Sequence, residues 1–437
     1  MLNTKKATKL YGIVEGYENI SFALDGFQCV FFNTHPIKNQ SVTIPQNQGF
    51  ILGRTSGQKY VYIYSNEDLK IWNELTLNTW GYFVSSSPDI TTYKAIYFEG
   101  GILKKLFLQS SLEFELIDNQ ETKVTYQDDS LTYPLHNKKI KGIISIHSTP
   151  HQHMSVEDGD AIITGDTQLE IIFEEAKEIQ TFPEIFGYVL NMCQFMAFRR
   201  NISFENIILE DSSEQFPEFM DSIAECHIHY DCLQDTEKSF HCCLSFNTLG
   251  ECVTNLLDSI VDNKPNKPRF NIGFIPEDDK TVTFITSIKI REVCSALESE
   301  MELSKIQVPQ EKAFDELVDK LKNIVKENRD GIHSLTDPKS YDYILGTLRH
   351  LSGALADRIE NCFFEYQPLM GEFISRKDID ELVKYRNTIT HGSFMPLDSK
   401  LAETTYVLMK LVYCCVLKRI GLTDKVIKEL FKWHLIS

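Results

Sequence analysis

The sequence predicts an α+β chain of more than one domain, in which an antiparallel β-sandwich-like region precedes an all-α helical bundle. Three observations predict this order. Short segments rich in β-branched and aromatic residues recur at roughly 10-residue spacing through the first part of the chain. From about residue 283 onward, apolar residues recur at three- and four-residue spacing instead. Between these parts, residues 262–280 are rich in Pro, Asn and charged side chains, which is typical of a linker.

The β-rich region is expected to span residues 1–178 and to act as a sensor or regulatory domain. Its candidate strands are short and are bounded by Asn, Asp, Gly and Pro, which favour turns. They read SVTIPQ, KYVYIYS, NTWGYFVSS, TYKAIYFEGG, LEFELID, TKVTYQ and IKGIISIH. This regular spacing is typical of an antiparallel sandwich or barrel.

Residues 179–265 are expected to form a mixed α/β connecting segment. The apolar stretch TFPEIFGYVLNMCQFMAFRR, residues 181–200, predicts a helix with Pro183 in its first turn, where the missing N–H does no harm. The stretches ISFENIILE and AECHIHYDCL then resemble strands again.

Residues 283–437 predict the helical bundle. About five or six amphipathic helices follow one another with short connections, which is the pattern of a bundle. Glycines and prolines separate them, notably Gly331, Pro338 and Gly392.

Composition limits the classes of function. The chain has 437 residues and a net charge of −18, nearly all of it before Val282, which argues against a protein that coats nucleic acid. No apolar run is long enough to cross a membrane and no apolar leader begins the chain. Eleven scattered cysteines, an odd number, fit a reducing cytoplasm better than a disulfide framework.

The stretch KYRNTITHGS, Lys384 to Ser393, holds the residues suited to catalysis. On a helix, Lys384, Asn387 and His391 share one face, and a flexible Arg386 side chain reaches toward His391. Gly392 suits the position after a helix end, so the helix dipole is expected to raise the pKa of His391. An imidazole that titrates near neutral pH can transfer protons, and a guanidinium can hold a phosphate. These two groups are sufficient to cleave RNA without a metal.

Arg386-Asn387-Thr388-Ile389-Thr390-His391 resembles the R-N-x-x-x-H motif of HEPN-domain ribonucleases. The stretch SALESE and the strand-rich start GYENISFALDGF are similar to ApeA-type bacterial anti-phage proteins. This resemblance implies an endoribonuclease without metal or other cofactor that leaves 2′,3′-cyclic phosphate and 5′-hydroxyl ends. It further implies a homodimer through the HEPN bundle, cleavage of tRNA in the anticodon loop, a phage-encoded protein as trigger, and abortive infection as the outcome.

By this resemblance His391 is the general acid/base, Arg386 stabilises the phosphate and Asn387 supports them. Lys384 and Glu298 are candidates for RNA binding, or Glu298 for a supporting carboxylate. The alternative interpretation is that Lys384 is a solvated lysine and that Glu298 is a surface glutamate without a role in the site. The acidity of the first part further suggests that it shields the cleft until a phage product displaces it.

Other interpretations stay open. A HEPN bundle that has lost catalysis could serve as a nucleic-acid- or protein-binding module or as an antitoxin-like partner. Arg329 and His333 form a decoy pair, because Gly331 interrupts the helix between them. The stretch Cys226–Cys232, with His241, Cys242 and Cys243 just after it, carries metal-binding residue types but lacks the spacing of four convergent ligands. His151 and His153 are expected in a polar turn beside several acids, where a loop is favoured over a metal site.

Overall fold

The computed structural model divides the chain into two compact units, Met1–Asp262 and Asn263–Ser437. It describes residues 9–38, 40–107, 112–117, 121–126, 130–154, 161–213, 219–230, 244–264, 266, 268–277, 285–304, 312–329, 339–349, 355–390 and 396–433.

The first unit is built on antiparallel strands. In chain order the strands are β1 Leu10–Val14, β2 Tyr17–Asp25, β3 Gln28–Asn33, β4 Val42–Ile44, β5 Phe50–Thr55, β6 Tyr60–Tyr64, β7 Leu69–Ile71, β8 Glu74–Asn78, β9 Gly81–Ser85, β10 Thr92–Glu99, β11 Leu112–Ile117, β12 Glu121–Tyr126, β13 Ser130–Leu135, β14 Gly142–Met154, β15 Ala161–Glu178, β16 Asn206–Ser212 and β17 Met220–Ile228. Helices α1 Gly101–Leu106, α2 Phe182–Ala197, α3 Phe246–Leu249 and α4 Cys252–Val261 complete the unit.

Hydrogen bonds join thirteen of these strands into one sheet, in the order β13-β14-β15-β10-β16-β17-β9-β6-β5-β1-β2-β3-β8. The strands β11 with β12, and β4 with β7, form two further pairs. Strands β16 and β17 lie between β10 and β9. Residues 179–265, expected as a connecting segment, therefore supply two strands to the interior of the sheet.

The core of this unit is formed by apolar side chains at alternate positions along the strands. In β2, Ile20, Phe22 and Leu24 are buried while the residues between them are less buried, as expected when successive side chains point to opposite faces. Helix α2 adds aromatic rings, and the ring centroid of Phe182 lies 5.0 Å from that of Phe83 on β9. Such edge-to-face contacts add to the stabilisation from burial.

The second unit is helical. Its helices are α5 Ser287–Leu303, α6 Lys312–Glu327, α7 Lys339–Arg349, α8 Leu355–Met370, α9 Arg376–Thr390, α10 Ser399–Ile420 and α11 Asp424–Trp433. Helix α10 is the central one, because most of its residues are buried and it packs against α5, α8, α9 and α11. Asp398 begins it by accepting a hydrogen bond from the Leu401 N–H at 2.8 Å, and Gly421 ends it with a φ of 110°.

The predicted fold class is confirmed: an antiparallel sheet in the N-terminal part and helices in the C-terminal part. Within the described ranges, none of the helices has the length and apolar character required to cross a membrane.

Candidate active site

Helix α9 carries Lys384, Arg386 and Asn387 of the motif, and the residues that it packs into the bundle lie on a different side. Ile379, Leu382 and Tyr385 are buried in the bundle. Lys384 and Asn387 are exposed on the other side. The spacing of apolar residues along this helix accounts for the division, since residues three and four apart share a face.

Arg386 lies between these two faces and contacts helix α5. Its Nη2 donates to both carboxylate oxygens of Glu298, each at 3.2 Å. Its Nη1 donates to Oδ1 of Asn387 at 3.1 Å. The side chains of Arg386 and Glu298 are 28% and 31% exposed, so their ion pair stands at the rim of the bundle, open to solvent on one side.

These contacts leave hydrogen-bonding capacity on the guanidinium. Within the described part of the chain, Nε of Arg386 donates no bond, and the bonds above come from Nη1 and Nη2. A guanidinium presents its N–H groups as a planar fork that matches a phosphate. Arg386 is therefore held in place by Glu298 and Asn387 while it keeps an edge with which to bind an anion.

Cys294 is buried on helix α5, one helical turn before Glu298. Burial raises the pKa of Cys294 to about 12, while the Arg386 charge lowers it and the Glu298 charge raises it. The thiol is therefore protonated at neutral pH, and we assign it to packing.

The end of α9 brings Thr390 to the site. Its Oγ1 donates to the backbone carbonyl of Arg386 at 2.7 Å, and Thr388 makes the same bond to Lys384 at 2.9 Å. His391 follows directly and lies outside the described residues.

The structure brings together three of the five residues singled out from the sequence, namely Arg386, Asn387 and Glu298. The ammonium of Lys384 makes no ion pair with any residue that the structure describes. Sequence reasoning missed the bond from Thr390 and the position of Cys294. The i to i+4 spacing of Thr390 from Arg386 is the signal that could have indicated the former.

Among the residues that the structure describes, the other candidates are not joined into a site. His227 stacks on Tyr82 with ring centroids 4.6 Å apart, and Cys226 is buried in β17. His151 and His153 lie in β14, while Cys232 and His333 fall outside the described residues. Over the described ranges, no three His, Cys, Asp or Glu side chains are grouped so as to hold a metal ion.

Comparison with known protein families assigns the segment that contains these residues. Residues 292–426 match the model of the Apea-like HEPN family. This segment is an Apea-like HEPN domain. The match includes Glu298, Arg386 and Asn387, and it extends from within α5 through α10 to the first residues of α11. No curated protein and no solved structure matches the chain. HEPN domains are generally ribonucleases, so the domain indicates a nuclease or defence role.

Proposed function

We propose that the chain is a metal-independent endoribonuclease whose catalytic residues are Arg386, Asn387 and His391. The observation that carries the proposal is the arrangement of Arg386 within the HEPN domain. Its guanidinium is fixed by Glu298 and Asn387 at the rim of the bundle, and its Nε, which donates to none of the described residues, is the proposed donor to phosphate.

The chemistry requires a base, an acid and a charge-stabilising group. The ribose 2′-oxygen attacks the adjacent phosphorus and loses its proton to a base. The bond from phosphorus to the 5′-oxygen breaks, and that oxygen takes a proton from an acid. The products are a 2′,3′-cyclic phosphate and a 5′-hydroxyl. Arg386 stabilises the negative charge that builds on the phosphorane oxygens, and His391 transfers the proton.

A second copy of the domain completes this chemistry. One imidazole cannot easily serve as base on one side of the scissile bond and as acid on the other. Two symmetry-related copies of His391 can take these two roles in one cleft. The proposal therefore includes a homodimer through the HEPN bundle.

The proposed substrate is tRNA, cleaved in its anticodon loop, because the bases of a loop are unstacked and its 2′-hydroxyl groups are accessible. Cleavage in the cytoplasm would stop translation in an infected cell, which is abortive infection. The first unit would respond to a phage-encoded protein.

The test is to express the chain with Arg386→Ala or His391→Ala and to sequence RNA ends that carry 2′,3′-cyclic phosphate. We expect growth arrest and tRNA fragments with the unchanged chain and neither with the two variants. Each variant should lower cleavage by about a hundredfold or more, the usual contribution of a proton-transferring or charge-stabilising group.

The decoy pair gives the matched control. Arg329→Ala and His333→Ala remove the same residue types from the same unit. Arg329 lies 5.3 Å from the ring centroid of Tyr341 and far along the chain from the motif. These variants should cleave like the unchanged chain. RNA binding without cyclic-phosphate ends, with or without a co-expressed phage protein, would favour the catalytically silent binding module instead.

A further inference from the structure

The segment Arg269–Glu277 lies near the start of the second unit and along helix α5. It follows the end of the first unit at Asp262 and contains a 3₁₀ turn, Ile272–Phe274, that packs on α5. Phe270, Phe274 and Ile275 are buried. A segment with the composition of a linker is thus packed into the bundle.

The first of two cations, which is buried, holds this segment near the start of α5. Lys289 is 1% exposed. Its Nζ donates to the carbonyl oxygens of Gly273 and Ile275 at 2.8 and 3.1 Å. It also pairs with the carboxylates of Glu277 and Glu292 at 2.6 and 3.1 Å. A buried ammonium is stable only with such partners, so these bonds fix the segment in place.

The second cation holds the segment near the end of α5. Arg419 of α10 donates from Nε and Nη2 to the two carboxylate oxygens of Glu300, at 2.8 and 2.9 Å. Its Nη2 also donates to the carbonyl of Arg269 at 2.9 Å. Burial raises the pKa of Glu300 and the Arg419 charge opposes that rise. Arg419 thus joins the segment, α5 and α10 at one point.

Both contacts lie on one face of α5, and Glu298 lies on the opposite face. Lys289 and Glu300 are eleven positions apart on a helix, which is about 16 Å along the axis and close to the same angular position. Glu298 is about half a turn away from both around the helix axis. Helix α5 is therefore held between the segment Arg269–Glu277 on one side and Arg386 of α9 on the other.

We propose that Lys289 and Arg419 are positioning residues: they fix α5 through the segment Arg269–Glu277 so that Glu298 holds the Arg386 guanidinium in its catalytic place. This inference rests on the proposed ribonuclease function and adds a way in which the first unit can regulate it. The first unit ends at Asp262, seven residues before this segment, so a movement of the first unit can be transmitted along the chain to the segment and from there to α5. The first unit can thereby change the position of the Arg386 guanidinium without binding RNA itself.

The test compares two lysines of the second unit in the full-length chain. Lys289→Met removes the ammonium and keeps the length of the side chain. Lys410→Met is the matched control, because Lys410 is also buried, at 5% exposed, but pairs with Glu372, which lies neither on α5 nor in the segment Arg269–Glu277. We expect Lys289→Met to lower kcat for RNA cleavage about tenfold and to change KM by less than about twofold. Lys410→Met should change neither by more than about twofold.

Amide hydrogen exchange gives a readout that does not depend on activity. With Lys289→Met, peptides covering 294–303 and 382–390 should exchange about tenfold faster than in the unchanged chain, and with Lys410→Met they should not. Faster exchange confined to 269–277, or an equal loss of kcat in both variants, overturns the inference. If the unchanged chain shows no cleavage that depends on Arg386, the proposed function fails, and the exchange result still decides this inference separately.

Two milder variants keep the inference testable if Lys289→Met does not fold. Glu277→Gln changes a carboxylate that is 47% exposed and leaves the carbonyl bonds of Lys289 intact. Arg419→Lys keeps the charge beside Glu300 but cannot also reach the Arg269 carbonyl. Each should lower kcat about threefold with KM unchanged, and unchanged kcat in both variants contradicts the proposed positioning role.

Discussion

At the scale of single residues, the pairing of Arg386 with Glu298 decides how the candidate site works. A fully exposed arginine would lose much of its electrostatic effect to water, and a fully buried one could not reach RNA. Bonds to Glu298 and Asn387 restrict the guanidinium to one orientation at the rim of the bundle. The carboxylate also reduces the net positive charge at that point, so phosphate must bind through directed hydrogen bonds as well as charge.

Substitution of Glu298 should therefore affect turnover more than binding. With Glu298→Ala the guanidinium gains freedom, and we expect kcat to fall about tenfold, which corresponds to one hydrogen bond to a charged group. KM should stay unchanged or fall, because the carboxylate no longer competes with phosphate. Glu298→Gln, which keeps one acceptor, should lie between these values. Steady-state cleavage of a labelled tRNA checks this.

The control is Glu302→Ala, because Glu302 is an exposed carboxylate on the same helix about one turn away. It should leave kcat and KM unchanged. A rise in KM for Glu298→Ala with constant kcat would show instead that Glu298 contacts RNA directly, as one interpretation of the sequence holds.

At the scale of helices and strands, the sequence predicts what depends on local spacing. The helix predicted over 181–200 is observed at Phe182–Ala197, and the division of α9 into a packed and an exposed face follows from residues three and four apart. The contact of Arg386 with Glu298 joins residues 88 positions apart, so it depends on how α5 and α9 pack. The insertion of β16 and β17 between β10 and β9 is likewise a long-range pairing that no local pattern specifies.

Two glycines of the second unit test how strongly its helices are determined by backbone conformation. Gly421 ends α10 with a φ of 110°, where a Cβ is strained, so Gly421→Ala should lower the free energy of unfolding by about 1 kcal/mol. Gly346 lies inside α7, and an added Cβ there would meet no atom within 4 Å. Gly346→Ala should raise the free energy by about 0.5–1 kcal/mol. Chemical denaturation measures both, and changes of the same sign contradict this account.

At the scale of the whole molecule, the two units differ in charge. The chain carries a net charge of −18, and the part that follows Asp262 has 26 acidic and 26 basic residues, so the first unit holds all of the excess. If the second unit cleaves RNA as proposed, an acidic unit linked covalently to it lowers the local concentration of RNA, since the repulsion extends over about 10 Å at moderate salt. This effect requires no particular arrangement of the two units.

The second unit alone, Asn263–Ser437, should therefore bind RNA more tightly than the full chain at low salt. Because salt screens the repulsion, the two affinities should converge as the salt concentration is raised from about 50 to about 200 mM. Filter binding of tRNA with both proteins carrying His391→Ala measures this without cleavage, and circular dichroism checks that the shorter protein is helical. A difference in affinity that persists at high salt would mean that the first unit covers the RNA site by direct contact. Equal affinities at low salt would remove any electrostatic role for it.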